Sequence, residues 1–202
     1  MPKVKIKKKS AVIDMTAMCD VASLLLTFFI LTATAKEPEP LPVDIPSSTA
    51  SIKMPDTDIS VLTIGQKKVF FGVVGQDVRI KTLQRIGEQY NIQFSPDELV
   101  RFSLIDAIGV PVNQLKQFIN MDGAARKDVK QPGIPAEGEN SELHQWILQA
   151  RYATKELHGT DLRFSIKGDG KEEYPVVRNV IDILQGQKIN KFSLVTSLEG
   201  LN

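Results

Sequence analysis

Residues 13–35 read IDMTAMCDVASLLLTFFILTATA, an apolar stretch with a carboxylate, Asp20, well inside it. A membrane-spanning helix needs about 20 mostly apolar residues, and an ionisable group at its centre costs upward of roughly 2.5 kcal/mol. A carboxylate held there can take up and release a proton, and protonation removes the charge that burial penalises. On a helix advancing about 100° per residue, Thr16, Asp20, Ser23, Thr27 and Thr34 project within about 60° of one another and make one polar stripe. Leu24, Leu25, Phe28, Phe29 and Leu31 take most of the remaining circumference, where lipid or an apolar partner suits them. The stripe is therefore expected to face protein or a hydrated crevice. The competing reading has the hydroxyls bonding back to their own helix and Asp20 neutral and idle. Asp14, about 120° away and close to Lys7, Lys8 and Lys9, reads as an interfacial acid instead.

The elements around the stretch fix how it would sit. Lys3, Lys5, Lys7, Lys8 and Lys9 precede it, while Lys36, Glu37 and Glu39 follow. By the positive-inside rule the basic tail, residues 1–10, stays in the cytoplasm, the helix occupies 11–35, and the bulk of the chain is exported. A net charge of +1 over 202 residues gives no encouragement to nucleic-acid binding. The single cysteine, Cys19, lies inside the apolar stretch, so no internal disulfide supports the exported part. A cleaved signal peptide, with Ala33-Thr34-Ala35 as its processing site, is the main alternative. Its n-region would be long and would contain Asp14 and Asp20, which is unusual for a leader of about 15–30 residues.

The run I-D-M-T-A-M-C-D-V-A-S-L-L-L-T-F-F resembles the transmembrane signature of the ExbD/TolR family, approximately I-N-x-T-P-x-x-D-x-x-x-x-L-L-x-x-F. Ile13, Thr16, Asp20, Leu25, Leu26 and Phe29 match it; Asp14 stands where the family has Asn and Ala17 where it has Pro. The resemblance covers about residues 10–74 and 140–200 and points to ExbD more than to TolR. It implies that Asp20 is the protonatable residue of a proton-driven motor in the bacterial inner membrane. It also implies partners: a multi-spanning ExbB/TolQ-like ring around a homodimer of this helix, and a TonB-like or TolA-like protein that receives the work.

After the apolar stretch, residues 36–58 are rich in Pro, Ser, Thr and charge and read as an extended tether. Within it Leu41, Val43 and Ile45 alternate with Pro42 and Asp44, a pattern that could add to a sheet edge when a partner binds. Residues 59–202 then read as a periplasmic α+β domain with helices on one face of a small sheet. Runs 59–64 and 69–74 form a hairpin about Gly65-Gln66, and a helix is expected over 78–90. Ser95-Pro96-Asp97-Glu98 starts another that runs to about residue 108. Residues 112–119 add further helical turns, and 121–140 read as a loop. A helix opens at Ser141-Glu142, with Leu143, Ile147, Ala150, Thr154 and Leu157 at helical spacing, and closes at Gly159. A strand about Leu162, Phe164 and Ile166, a helix over 172–185 and a strand over 191–198 complete the order. The family pattern leaves 76–139 as an insertion, expected to add a partner-specific surface or to enlarge the core.

Enzymatic motifs are missing. Gly168-Asp169-Gly170-Lys171 lacks the spacing of a phosphate loop, and no Gly-x-Ser-x-Gly nucleophile motif occurs. His158 with Asp161 reads as a helix end and turn, Trp146 and Tyr152 as packing residues. His144 and His158 alone give no expectation of metal binding, and no cofactor is implied. The function expected is an ExbD-like motor subunit energising outer-membrane transport. Alternatives are a TolR-like envelope-integrity or cell-wall tether, a gliding or secretion motor subunit, and an exported binding domain on an idle anchor.

Overall fold

The computed structural model describes residues 15–32, 47–48, 57–138, 140–168, 174–195 and 197–198. It divides into two units, Met1–Glu37 and Pro38–Asn202. In the first, helix α1 (Met15–Thr32) has no buried residue, and by length and composition it can cross a membrane. Its large apolar side chains are all exposed.

The second unit follows the order β1 (Ser47–Ser48), β2 (Ile59–Gly65), β3 (Lys68–Val73), α2 (Gln76–Tyr90), α3 (Pro96–Ser103), β4 (Ala107–Ile108), α4 (Val112–Asn120), α5 (Gly123–Asp128), α6 (Glu142–His158), β5 (Arg163–Gly168), α7 (Tyr174–Gly186), β6 (Phe192–Leu194) and β7 (Ser197–Leu198). A five-stranded sheet runs β4-β3-β2-β5-β6, antiparallel across β4, β3 and β2 and parallel across β2, β5 and β6. The chain is thus α+β, a single N-terminal apolar helix followed by a small mixed sheet and helices. β1, inside the stretch read as a tether, pairs in parallel with β7.

Register sets the core. Leu62 lies opposite Phe71 and Ile166, and Ile64 opposite Val69, so these side chains share one sheet face. They join Val78, Leu83 and Ile86 of α2, Leu143, Trp146, Ile147 and Ala150 of α6, and Val180 and Leu184 of α7 in one buried cluster. Phe102, Ile108, Leu115, Phe118 and Ile119, all between 76 and 139, belong to the same cluster. Whatever surface that segment offers, it also builds the core. Leu157, the last residue of the helical spacing in α6, is 44% exposed, one residue before the helix ends.

Three expectations need correction. The helix begun at Ser95 has its full capping box, with Ser95 Oγ accepting from Glu98 N and Ser95 N donating to Glu98 Oε2, but it stops at Ser103 instead of 108. Arg79 explains the stop: its guanidinium donates to Ser103 O at 2.8 Å, to Asp106 Oδ1 at 2.8 Å and, through Nε, to Val73 O at 2.6 Å. That fork ties the end of α3 to β3 and frees Ala107–Ile108 to pair as β4 with Phe71 and Gly72. The close crossing requires glycine, since a Cβ on Gly72 would lie 2.5 Å from Asp106 O and one on Gly109 2.2 Å from the Phe70 ring. Second, the loop over 121–140 contains the short helix α5. Third, the last strand is split into β6, which continues the sheet, and β7, which leaves it.

The hairpin turn sits one residue later than the sequence suggested. Gly65 pairs with Lys68, leaving Gln66 and Lys67 as the central residues at φ 54° and 58°. Two positive φ values define a type I′ turn, which favours Asn or Gly over Gln. Gln66→Asn should therefore stabilise the sheet unit by about 0.5–1 kcal/mol. Thermal unfolding of the full chain in micelles reads this as a rise of roughly 1–4 °C, and an unchanged midpoint counts against the turn assignment.

Candidate functional site

α1 is regular from Met15 to Thr32, so Thr16, Asp20, Ser23 and Thr27 lie on one face as their spacing dictates. Thr27 Oγ1 donates to Ser23 O at 3.0 Å and to Leu24 O at 2.9 Å, and Thr32 Oγ1 to Phe28 O at 2.8 Å. These hydroxyls are satisfied within the helix, as apolar surroundings demand. A carboxylate has no hydrogen to return to a helix carbonyl when ionised, so Asp20 differs in kind from the threonines beside it. It is exposed, on the same side of α1 as Thr16 and Thr27, with Phe28 and Phe29 packed edge to face farther along the helix. Thr34, Leu41, Val43 and Ile45 lie outside the described residues.

The arrangement places one carboxyl group on the hydroxyl-bearing side of an apolar helix. Among the described residues no group of three or more His, Cys, Asp or Glu could hold a metal ion. Trp146 is fully buried against Phe71 and Phe102, a packing position. Tyr152 is exposed, with the Arg85 guanidinium 5.7 Å above its ring.

In the sheet unit the structure assembles a cluster that sequence proximity does not show. His158, at the C-terminus of α6, meets Asp58 through Nδ1 and Asp77 through Nε2, at 2.8 Å for the latter. Asp161, its neighbour in sequence, instead pairs with Lys155 at 3.1 Å. Asp58 and Asp77 stand 100 and 81 residues away along the chain, so no local signal could have found them.

The family model described as "Biopolymer transport protein ExbD/TolR" matches residues 7–199, running through the middle segment that the sequence resemblance left out. No curated protein and no solved structure matches the chain. With an apolar N-terminal helix carrying an acid, a small α+β unit behind it and a match over nearly the whole length, the chain belongs to the ExbD/TolR family of biopolymer transport proteins.

Proposed function

We propose that this chain is the ExbD-like subunit of a proton-motive-force-driven motor in the bacterial inner membrane. The observation that carries the reading is Asp20, a carboxylate on a stripe with Thr16, Ser23 and Thr27 in the one described helix apolar enough to span a membrane. The basic tail keeps the N-terminus in the cytoplasm and the sheet unit lies in the periplasm. Asp20 takes protons from one side and delivers them to the other. Two copies of α1 stand inside an ExbB/TolQ-like ring, each stripe facing protein, and the work passes to a TonB-like protein that drives outer-membrane transport. Thr34 extends the stripe toward the periplasm, and Leu41, Val43 and Ile45 offer a strand to a partner. The chain itself catalyses no covalent chemistry.

Removing the gene from its native host and restoring it on a plasmid tests the reading. Loss and recovery of proton-motive-force-dependent uptake through the outer membrane, with the envelope intact, is the expected result. Leakage of periplasmic marker proteins with uptake unaffected would instead make the chain TolR-like. Restoration of uptake by a chain whose residues 15–32 are replaced by a neutral generic anchor would remove the motor role altogether.

A further inference from the structure

The start of β2 is held by an imidazole between two acids. Asp58 is the last residue before β2, at φ 55°, a conformation that Asp tolerates better than most residues. Its backbone oxygen accepts from Arg163 N at 2.9 Å, its Oδ2 from Thr160 Oγ1 at 3.1 Å, and its Oδ1 faces His158 Nδ1. The opposite ring nitrogen, Nε2, faces Asp77 Oδ2 in the first turn of α2 at 2.8 Å. His158 closes α6, where Gly159 takes the left-handed conformation and its amide returns to Lys155 O. One ring thus touches the start of β2, the start of α2 and the end of α6.

Chemistry decides the ring's state. An ionised carboxylate only accepts hydrogen bonds, so contacts to carboxylates from both ring nitrogens need two N–H groups, which only the imidazolium has. Neutral imidazole would turn a lone pair toward one of the two acids. We propose that His158 is a proton-operated clasp, closed on Asp58 and Asp77 as the imidazolium and released when it loses a proton. The clasp fastens the start of β2 to the start of α2 and the end of α6, and so makes that corner of the sheet unit respond to the acidity around it.

The surroundings agree. The hydrogen bond to Asp58, then that to Asp77, raise the His158 pKa above its ordinary 6.5, and the hydrogen bond from His158 lowers that of Asp77 below its ordinary 3.8. The α6 C-terminus adds the negative end of a helix dipole. Of the other charged groups around the ring, Glu156 pairs with Lys81 and Arg85, Lys155 with Asp161 and Arg79 with Asp106, while the cationic Arg163 and Lys191 line the hollow beside Asp58. The signs follow. For His158 the stabilisation is complete below about 6.5 and disappears as the pH rises through the raised value; for Asp77 it is present above about 3.8 and disappears as the pH falls through the lowered value. The clasp is closed between these limits.

The chain has two histidines, so full-length protein labelled at His Cε1 in micelles gives two His NMR signals, and His144→Gln leaves that of His158. Its midpoint should lie above 6.5 and fall in Asp58→Asn and in Asp77→Asn. Hydrogen exchange at the amides of Val74 and Arg163, which bond to Ile59 O and Asp58 O, reads the clasp itself. After correction for intrinsic rates, opening should rise severalfold as the pH passes the midpoint, because the imidazolium holds both acids and the neutral ring only one. In His158→Gln opening should stay at every pH near the level that the unaltered chain reaches above its midpoint, with no step. A midpoint at or below 6.5 overturns the proposal, as does the absence of a step in the unaltered chain or its persistence in His158→Gln.

Discussion

Asp20→Asn should stop proton-driven work while leaving the chain folded and in the membrane. Asn keeps the shape and polarity of Asp but cannot change charge, so α1 and its stripe of Thr16, Ser23 and Thr27 persist. What is lost is the only ionisable side chain within α1 besides Cys19. One charge moved through a membrane potential is worth about 2.3 kcal/mol per 100 mV, and a difference of that size corresponds to roughly fiftyfold in rate. Uptake through the outer membrane that depends on the proton-motive force should therefore fall by at least about fiftyfold, toward the level found with an uncoupler. Asp20→Glu, which keeps the titrating group on a longer stem, should retain part of the activity. The comparison is made at equal amounts of membrane-inserted protein. Unimpaired uptake in Asp20→Asn would mean that the proton passes elsewhere, and the role given to the stripe would go with it.

The middle segment and the central strands of the sheet unit share one core. The residues 76–139, expected to be an addition to the family pattern, send Phe102, Ile108, Leu115, Phe118 and Ile119 into the same core as the central strands. Arg79 fastens the end of α3 to β3 through three hydrogen bonds, and Glu98 joins Ser95 to Asn120 across α3 and α4. The backbone amide of Ser95, then the amide of Asn120 and the Lys116 ammonium, hold the Glu98 carboxyl below its ordinary 4.5 against the opposing effect of burial. That contribution to stability is present above about 4.5 and is lost as the pH falls through the lowered value, so it persists wherever the His158 clasp is closed except at the acid limit. Excising residues 76–139 would therefore open the core and not merely remove a surface.

Elements whose evidence is local were legible in the sequence. α1 announces itself by length and apolarity, α6 by its cap at Ser141 and its stop at Gly159, and the β2–β3 hairpin by two β-branched runs about a short turn. The elements that escaped depend on partners far along the chain. β4 is two residues at the end of a run with helical spacing, and only the register with Phe71 and Gly72 and the grip of Arg79 on Ser103 O turn it into a strand. β1 and β7 are equally short and exist only through each other. The same division holds at the candidate sites. Asp20 stands out because hydrophobic neighbours make a carboxylate conspicuous within a few residues. His158 did not stand out, because its meaning lies in two acids that the fold delivers from 100 and 81 residues away along the chain.

Trp146→Ala should produce the largest loss of stability in the sheet unit. Trp146 is fully buried on α6, its ring centroid 6.1 Å from Phe102 of α3 with the planes 20° apart, and 5.8 Å from Phe71 of β3. It is where the sheet, the middle segment and the C-terminal half meet, so no one element can relax to fill the space it leaves. Truncating a buried Trp costs about 3–5 kcal/mol, and each aromatic pair adds roughly 0.5–1.5 kcal/mol beyond the area buried. Against a total of about 5–15 kcal/mol for a domain, the variant would be folded but marginal. Trp146→Phe separates packing from polarity, because Nε1 has no hydrogen-bond partner among the described residues. Removing that N–H returns part of a desolvation cost of about 1–3 kcal/mol while an aromatic ring still meets Phe102, so the net loss should stay below about 1.5 kcal/mol. Trp146 is the chain's only tryptophan, so denaturant unfolding must be followed by far-UV circular dichroism and not by its fluorescence. Equal losses in the two variants would show that the indole hydrogen is bonded after all, and a loss below about 1 kcal/mol in Trp146→Ala would show that the three parts of the core hold together without it.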